Sequence, residues 1–182
     1  MMKYCARMAA PTEPRFSAMT DHGDDSDRTE EWRRLRTEYL HEDRPTSSAG
    51  GVHHLALLSS DVERTIRFYQ ELLEFPLTEL FENRDYTGST HFFFDIGNGN
   101  LLAFFDFPGL DLGPYAEVFG SMHHLAISVT AEKQAYLRAK LEAAGVEIMF
   151  EHESSIYFTG PDGERLELLA DRLGEMYGET VN

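Results

Sequence analysis

The sequence is poor in three things, and each scarcity removes a class of function. Among its 182 residues there is one cysteine, Cys5, so no disulfide can form within the chain and no thiolate cluster can hold a metal. Any metal would need His, Asp or Glu ligands, and a reducing cytoplasm suits this composition. Apolar runs reach only about five residues against the ~20 needed to cross a bilayer. The N-terminus also lacks the basic flank and apolar centre of a secretory signal, so no membrane partner is expected. Basic residues are the third scarcity: 16 Lys and Arg face 32 Asp and Glu, a formal net charge of -16. Phosphate backbones and anionic lipid surfaces would repel such a chain, which excludes nucleic acid as the expected partner and leaves a small molecule.

What is present is a repeat. Residues 1–50 form a polar arm with Pro11, Pro14, Pro45 and a Ser47-Ser48-Ala49-Gly50-Gly51 linker. Such composition rarely buries enough surface to stay ordered, so residues 1–27 are read as disordered. One helix is expected over 29–42, where Trp32, Leu35 and Tyr39 recur on one side. After the linker, Val52-His53-His54-Leu55-Ala56-Leu57 returns seventy residues later as Met122-His123-His124-Leu125-Ala126-Ile127. Internal repetition of this kind decides the architecture before any single element does.

Each copy continues in the same order. Ser60 with Glu63 reads as a capping box opening a helix whose apolar face is Val62, Ile66, Tyr69, Leu72 and Leu73, ending before Pro76. Thr130 opens the second helix, with Leu137, Leu141 and Ala144 facing inward before Gly145. Three short β-rich stretches follow each helix, with tight turns at Gly97-Asn98-Gly99-Asn100 and Pro161-Asp162-Gly163. The expected fold class is α+β: two tandem βαβββ modules, residues 51–120 and 121–171, forming a cupped, pseudo-twofold β-sheet. The N-terminal arm precedes them and a tail, 172–182, follows.

Strand parity places His54, Ala56 and Leu58 on one face, and His124, Ala126 and Ser128 on the equivalent face of the second copy. Aligning the last hairpins on Gly99 and Gly163 sets Ala103 opposite Glu167. If the two sheets pack side by side, His54, His124 and Glu167 converge while Ala103 leaves a fourth place empty. Two neutral imidazoles and one carboxylate with open positions suit a divalent ion, Fe(II) or Mn(II) first, with Zn(II) and Ni(II) also admitted. His53 and His123 fall on the opposite face by parity and read as structural. His91, Phe93 and Asp95 follow one another along the cup face of the first copy.

These residues carry a family resemblance. The His54-Leu-Ala-Leu segment before Asp61, Phe68-Tyr69 in the helix, His124-Leu-Ala-Ile-Ser-Val, and Pro161-Asp162-Gly163-Glu164-Arg165-Leu166-Glu167 together resemble the vicinal oxygen chelate superfamily. That superfamily includes glyoxalase I, extradiol ring-cleaving dioxygenases, methylmalonyl-CoA epimerase, fosfomycin-resistance proteins and bleomycin-binding proteins. The resemblance implies metal ligands at His54, His124 and Glu167. It also implies a substrate bound through vicinal oxygens, and a homodimer, because members exchange modules between chains. Ala103, where glyoxalases carry a fourth ligand, favours the dioxygenases and fosfomycin-resistance proteins. Tyr157 stands at the dioxygenase spacing for a tyrosine that contacts bound catechol. The catalytic histidine of those enzymes is replaced here by the Gly109-Leu110-Asp111 stretch, and His91 is the substitute. The expected activity is therefore an extradiol-dioxygenase-like oxygenase with Tyr157 and His91 as catalytic residues. The alternatives are a glyoxalase-like lyase or isomerase, and a metal-free sequestering protein of the bleomycin-resistance type. Glu74, where the family usually has glycine, and Gly160, where Asp is common, depart from the pattern.

Overall fold

The computed structural model describes residues 25–152, 154–176 and 179–181. The expectation of disorder over residues 1–27 falls almost wholly outside that range. The chain divides into two compact units, residues 1–49 and 50–182. The first holds helix α1, Asp25–Tyr39, which carries an Arg34–Glu38 ion pair at 2.7 Å one turn apart. Its Trp32, Leu35 and Tyr39 are exposed.

The second unit contains the repeat. Its first module runs β1 (His54–Leu58), α2 (Val62–Ile66, continued by a π-helical turn Arg67–Leu72), β2 (Leu77–Glu82), β3 (Thr90–Asp95) and β4 (Leu101–Phe105). The second runs β5 (Leu125–Ser128), α3 (Ala131–Ala143), β6 (Ile148–His152), β7 (Ser155–Thr159) and β8 (Arg165–Leu169). Two short strands, β9 (Glu175–Met176) and β10 (Glu179–Thr180), pair within the C-terminal segment. Each module is thus βαβββ. Strand order is the same in both, β1-β4-β3-β2 and β5-β8-β7-β6, with the first strand parallel to the last. Ala103 pairs with Ala56 as Glu167 pairs with Ala126, so the register makes Ala103 and Glu167 equivalent positions.

The helix starts follow local chemistry, with one correction. Thr130 caps α3 by accepting from Lys133 N. The cap of α2 is Asp61 and not Ser60: the Asp61 carboxylate accepts from Arg64 N at 3.0 Å. Ser60 is unavailable because its hydroxyl donates to Asp162 Oδ1 at 2.5 Å and accepts from the Arg64 guanidinium.

The sheets do not join edge to edge. Phe92, Phe94, Leu102 and Phe104 of the first sheet and Ile127, Ile156, Phe158, Leu166 and Leu168 of the second share one buried cluster with Tyr69, Leu73, Leu137 and Leu141 of the helices. Tyr69 shows how the modules are tied. Its ring packs on Phe94 and Phe104 at 5.4 and 5.0 Å, and its hydroxyl donates to Glu164 Oε1 of the other module at 2.7 Å. Glu74 is a second tie. It holds a left-handed backbone, φ 62, while its carboxylate takes ion pairs from Lys133 and Lys140 and a hydrogen bond from the Tyr136 hydroxyl, all on α3. With the alternate residues of each strand committed to the shared core, the faces bearing His54 and Glu167 turn away from it.

Candidate metal centre

On the outward face of the second sheet, β8 and the residue just ahead of β5 bring two candidate ligands together. His124 Nε2 lies 3.0 Å from Glu167 Oε2. Glu167 is only 4% exposed although it stands mid-strand between Leu166 and Leu168. Ser155, two positions from Tyr157 on β7, donates its hydroxyl to Glu167 Oε1 at 2.5 Å. Tyr157 pairs with Glu167 across the β7–β8 ladder and presents its ring edge to His124, centroids 5.5 Å apart. Burial holds the His124 imidazole below the ordinary histidine pKa, with His123 and Arg165 pushing the same way and Glu167 opposing. A neutral ring is the form that ligates metals.

The outward face of the first sheet carries the other two candidates. His54 touches Phe93 at 6.1 Å between centroids. On β3, His91 stacks on Phe105 at 3.8 Å and leans on Phe93 at 4.2 Å. Its Nε2 is buried and has no hydrogen-bond partner among the described residues. Desolvation lowers the His91 pKa first, and nearby His54 adds to the effect. An unsatisfied buried nitrogen costs about 1–3 kcal/mol.

The structure does not unite these halves within one chain. His124, Glu167 and Tyr157 cluster on one sheet and His54 and His91 share the other. Among the described residues no three His, Cys, Asp or Glu side chains stand together as a metal site. Both modules give their helix-side faces to one core, so the convergence of His54, His124 and Glu167 that the sequence set out as a condition is not seen within one chain among the described residues. A separate cleft of about 860 Å³, lined by Ser60, Arg64, Asp162 and the 106–115 segment, includes none of the candidate ligands. The polar groups of Ser60, Arg64 and Asp162 are engaged with one another there.

Three contacts around the candidate ligands were not read from the sequence. Ser155 binds the Glu167 carboxylate, and its signal was the shared face with Tyr157. His53 and His123, read as structural on the opposite face, each bond the ring of the histidine that follows them. The doubled histidine in both repeats was their signal.

Residues 51–168 match the model of the Glyoxalase/Bleomycin resistance protein/Dioxygenase superfamily. The chain belongs to this superfamily. Among curated proteins it is similar to MhqE of Bacillus subtilis, named as a ring-cleaving dioxygenase, with 29% identity over 54% of this chain and 33% of that protein. It is also similar to the metallothiol transferase FosB of Bacillus licheniformis, 31% identical over 65% of this chain and 73% of that one. The chain thus spans about a third of MhqE, and 43% of the related MhqA. Among solved structures, a glyoxalase/bleomycin resistance protein/dioxygenase domain from Frankia sp. EAN1pec aligns with a TM-score of 0.60 at 22% identity, covering 69% of this chain and all of that one. A fosfomycin resistance protein, FosX, of Listeria monocytogenes, crystallised with Mn(II) and sulfate, aligns at 0.53 and 23% identity over 69% of this chain and 95% of that one. At these identities the structural matches establish the tandem βαβββ fold.

Proposed function

We propose that this chain is a divalent-metal enzyme that takes a small substrate through two neighbouring oxygens, and that its reaction is oxygen-dependent cleavage of a catechol-type ring. The observation that carries this reading is the half-assembled ligand set of His124 and Glu167, 3.0 Å apart on a face shared with Tyr157. A buried carboxylate is costly without a compensating cation, and a neutral imidazole does not supply one. The donor set fits Fe(II) or Mn(II), held by His124 and Glu167 of one chain and His54 of a second copy. The need for a second copy follows from where His54 lies, on an outward face with exposed Phe81, while the other outward face exposes Phe150 at 57%. Docking the first sheet of one copy against the second sheet of another covers both apolar faces and completes two equivalent sites.

Bound there, the metal would supply Lewis acidity and a seat for dioxygen. The chain's own residues account for the rest. Phe81, Phe93 and Phe105 form an aromatic wall on which a flat ring can stack. His91, neutral and with its Nε2 lone pair or proton unspent, is placed to accept a proton from a substrate hydroxyl. Tyr157 is placed to donate to a substrate oxygen, and Ser155 fixes one oxygen of Glu167. The similarity to MhqE supports ring cleavage; the similarity to FosB supports thiol transfer instead. Cations for an anionic phosphonate are scarce on these faces: Arg165 is engaged by His123 and Glu117, and Arg84 by Asp85. The test is anaerobic reconstitution with Fe(II) or Mn(II), then catechols under oxygen. Oxygen uptake coupled to ring opening supports the reading. Metal binding without turnover of any catechol, together with thiol addition to fosfomycin, would overturn the ring-cleaving assignment.

A further inference from the structure

Each candidate ligand histidine follows another histidine, and the two pairs share one geometry. His53 Nδ1 lies 2.8 Å from His54 Nδ1, with ring centroids 5.1 Å apart and planes at 78°. His123 Nδ1 lies 2.6 Å from His124 Nδ1, with centroids 4.9 Å apart and planes again at 78°. Both leading histidines sit just ahead of their strands, where strict strand parity no longer governs the side chain. Their backbones are pinned: His53 O accepts from Leu101 N at 3.2 Å, and His123 O from the Tyr115 hydroxyl at 3.2 Å.

We propose that His53 and His123 are positioning residues that hold the rings of His54 and His124 by Nδ1, so that Nε2 is the nitrogen offered to the cation. The inference rests on the ligand set proposed above. An unheld imidazole can offer either nitrogen after a ring flip, and the bond made by one nitrogen decides the role of the other. In the second module the direction of the bond follows from its far end. Arg165, its side chain 12% exposed and ion-paired with Glu117, places a guanidinium nitrogen 3.0 Å from His123 Nε2. A guanidinium only donates, so His123 Nε2 accepts and its proton stands on Nδ1. His123 then donates to His124 Nδ1, and His124 keeps its proton on Nε2, facing Glu167. Ligation through Nε2 reverses the chain. The His124 proton then stands on Nδ1 and donates to His123 Nδ1, the second proton stands on His123 Nε2, and Arg165 keeps Glu117. An imidazole at 123 serves both directions because its Nδ1 can donate or accept.

Two readouts test this. Nitrogen NMR of the metal-free protein should place the proton of His123 on Nδ1 and that of His124 on Nε2, and zinc loading should move the His124 proton to Nδ1. In competition titrations, H53A and H123A should each weaken Zn(II) binding by about 10–100-fold. The unfolding temperature of the metal-free protein should stay unchanged, and H123Q should recover part of the loss. Wild-type zinc affinity in both alanine variants, or a metal-free His123 protonated on Nε2, would overturn the inference. Should H123A fail to fold, H123Q and the wild-type tautomers decide. A wild-type protein that binds no divalent metal would sink the metal reading instead, while the metal-free tautomers would still judge this one.

Discussion

Two singly disabled variants, mixed, separate a site shared between chains from one built within a chain. In the proposed dimer, His54→Ala would remove the ligand on the first sheet and Glu167→Ala one on the second, so that neither variant alone has an intact set. In a mixed dimer, the chain with intact His54 faces the chain with intact Glu167 at one of the two sites. Random exchange makes about half of the dimers mixed, and each restores one site of two, so about a quarter of wild-type metal capacity returns. The structure supplies the premise: His124 and Glu167 are 3.0 Å apart on one sheet, while His54 lies on the outward face of the other. The assay is equilibrium dialysis of Mn(II) after partial unfolding and refolding of the mixture, with each variant alone as baseline. Recovery that stays at the baseline, from chains shown by mass spectrometry to have exchanged, would refute the shared site.

Other outcomes follow from the same structure. Tyr157→Phe is expected to keep the metal and lower turnover by about 10²-fold or more, checked by comparing metal content with kcat. Glu74 is held at a pKa of about 2, down from 4.5, first by its hydrogen bond from Lys133 and then by Lys140 and Tyr136. A depressed carboxylate contributes stability that is fully present above pH 4.5 and lost as the pH falls through 2. Glu74→Gln should therefore be less stable than wild type in urea at pH 6, and the two should converge toward pH 2; a constant gap would contradict the clamp. A Cβ on Gly160 would lie 2.2 Å from Glu164 Oε1. Gly160→Ala should therefore displace that carboxylate from Tyr69 and cost about 1–3 kcal/mol, read from urea midpoints. Ser155→Ala should weaken metal binding without unfolding the sheet, because Glu167 loses the hydroxyl that orients it.

Much of this molecule was legible from one feature of the sequence, the repeat. The seventy-residue return of the His-His-Leu-Ala motif carried the order of elements, and the two hairpin glycines carried the equivalence of Ala103 and Glu167. The dioxygenase-like spacing singled out Tyr157, which pairs with Glu167 across the β7–β8 ladder, whereas Ser155 had no such signal of its own. What parity could not reveal is which surfaces the two modules spend on each other. Amphipathic strands and helices show that one side is apolar, but Phe92, Phe94, Ile156 and Phe158 would satisfy that pattern in either packing. The choice is made by long-range pairs such as Tyr69 with Glu164 and Glu74 with Lys133 and Lys140, which have no local signature. At chain level the limits are similar. The local pattern read Ser60 as the cap of α2, but Asp162, about a hundred residues away, takes the serine hydroxyl and Asp61 caps the helix instead. His53 and His123 were assigned to the far face because they were counted as strand residues, whereas they stand just before the strands begin.

The central claim is that His54, His124 and Glu167 hold a divalent ion, and metal stoichiometry tests it most directly. Purified protein, stripped and titrated anaerobically with Fe(II) and Mn(II), should take up close to one ion per chain. Each of His54→Ala, His124→Ala and Glu167→Ala should lose tight binding while the metal-free fold persists. Full occupancy in any one of the three variants, or no uptake by the folded wild-type protein, would contradict it.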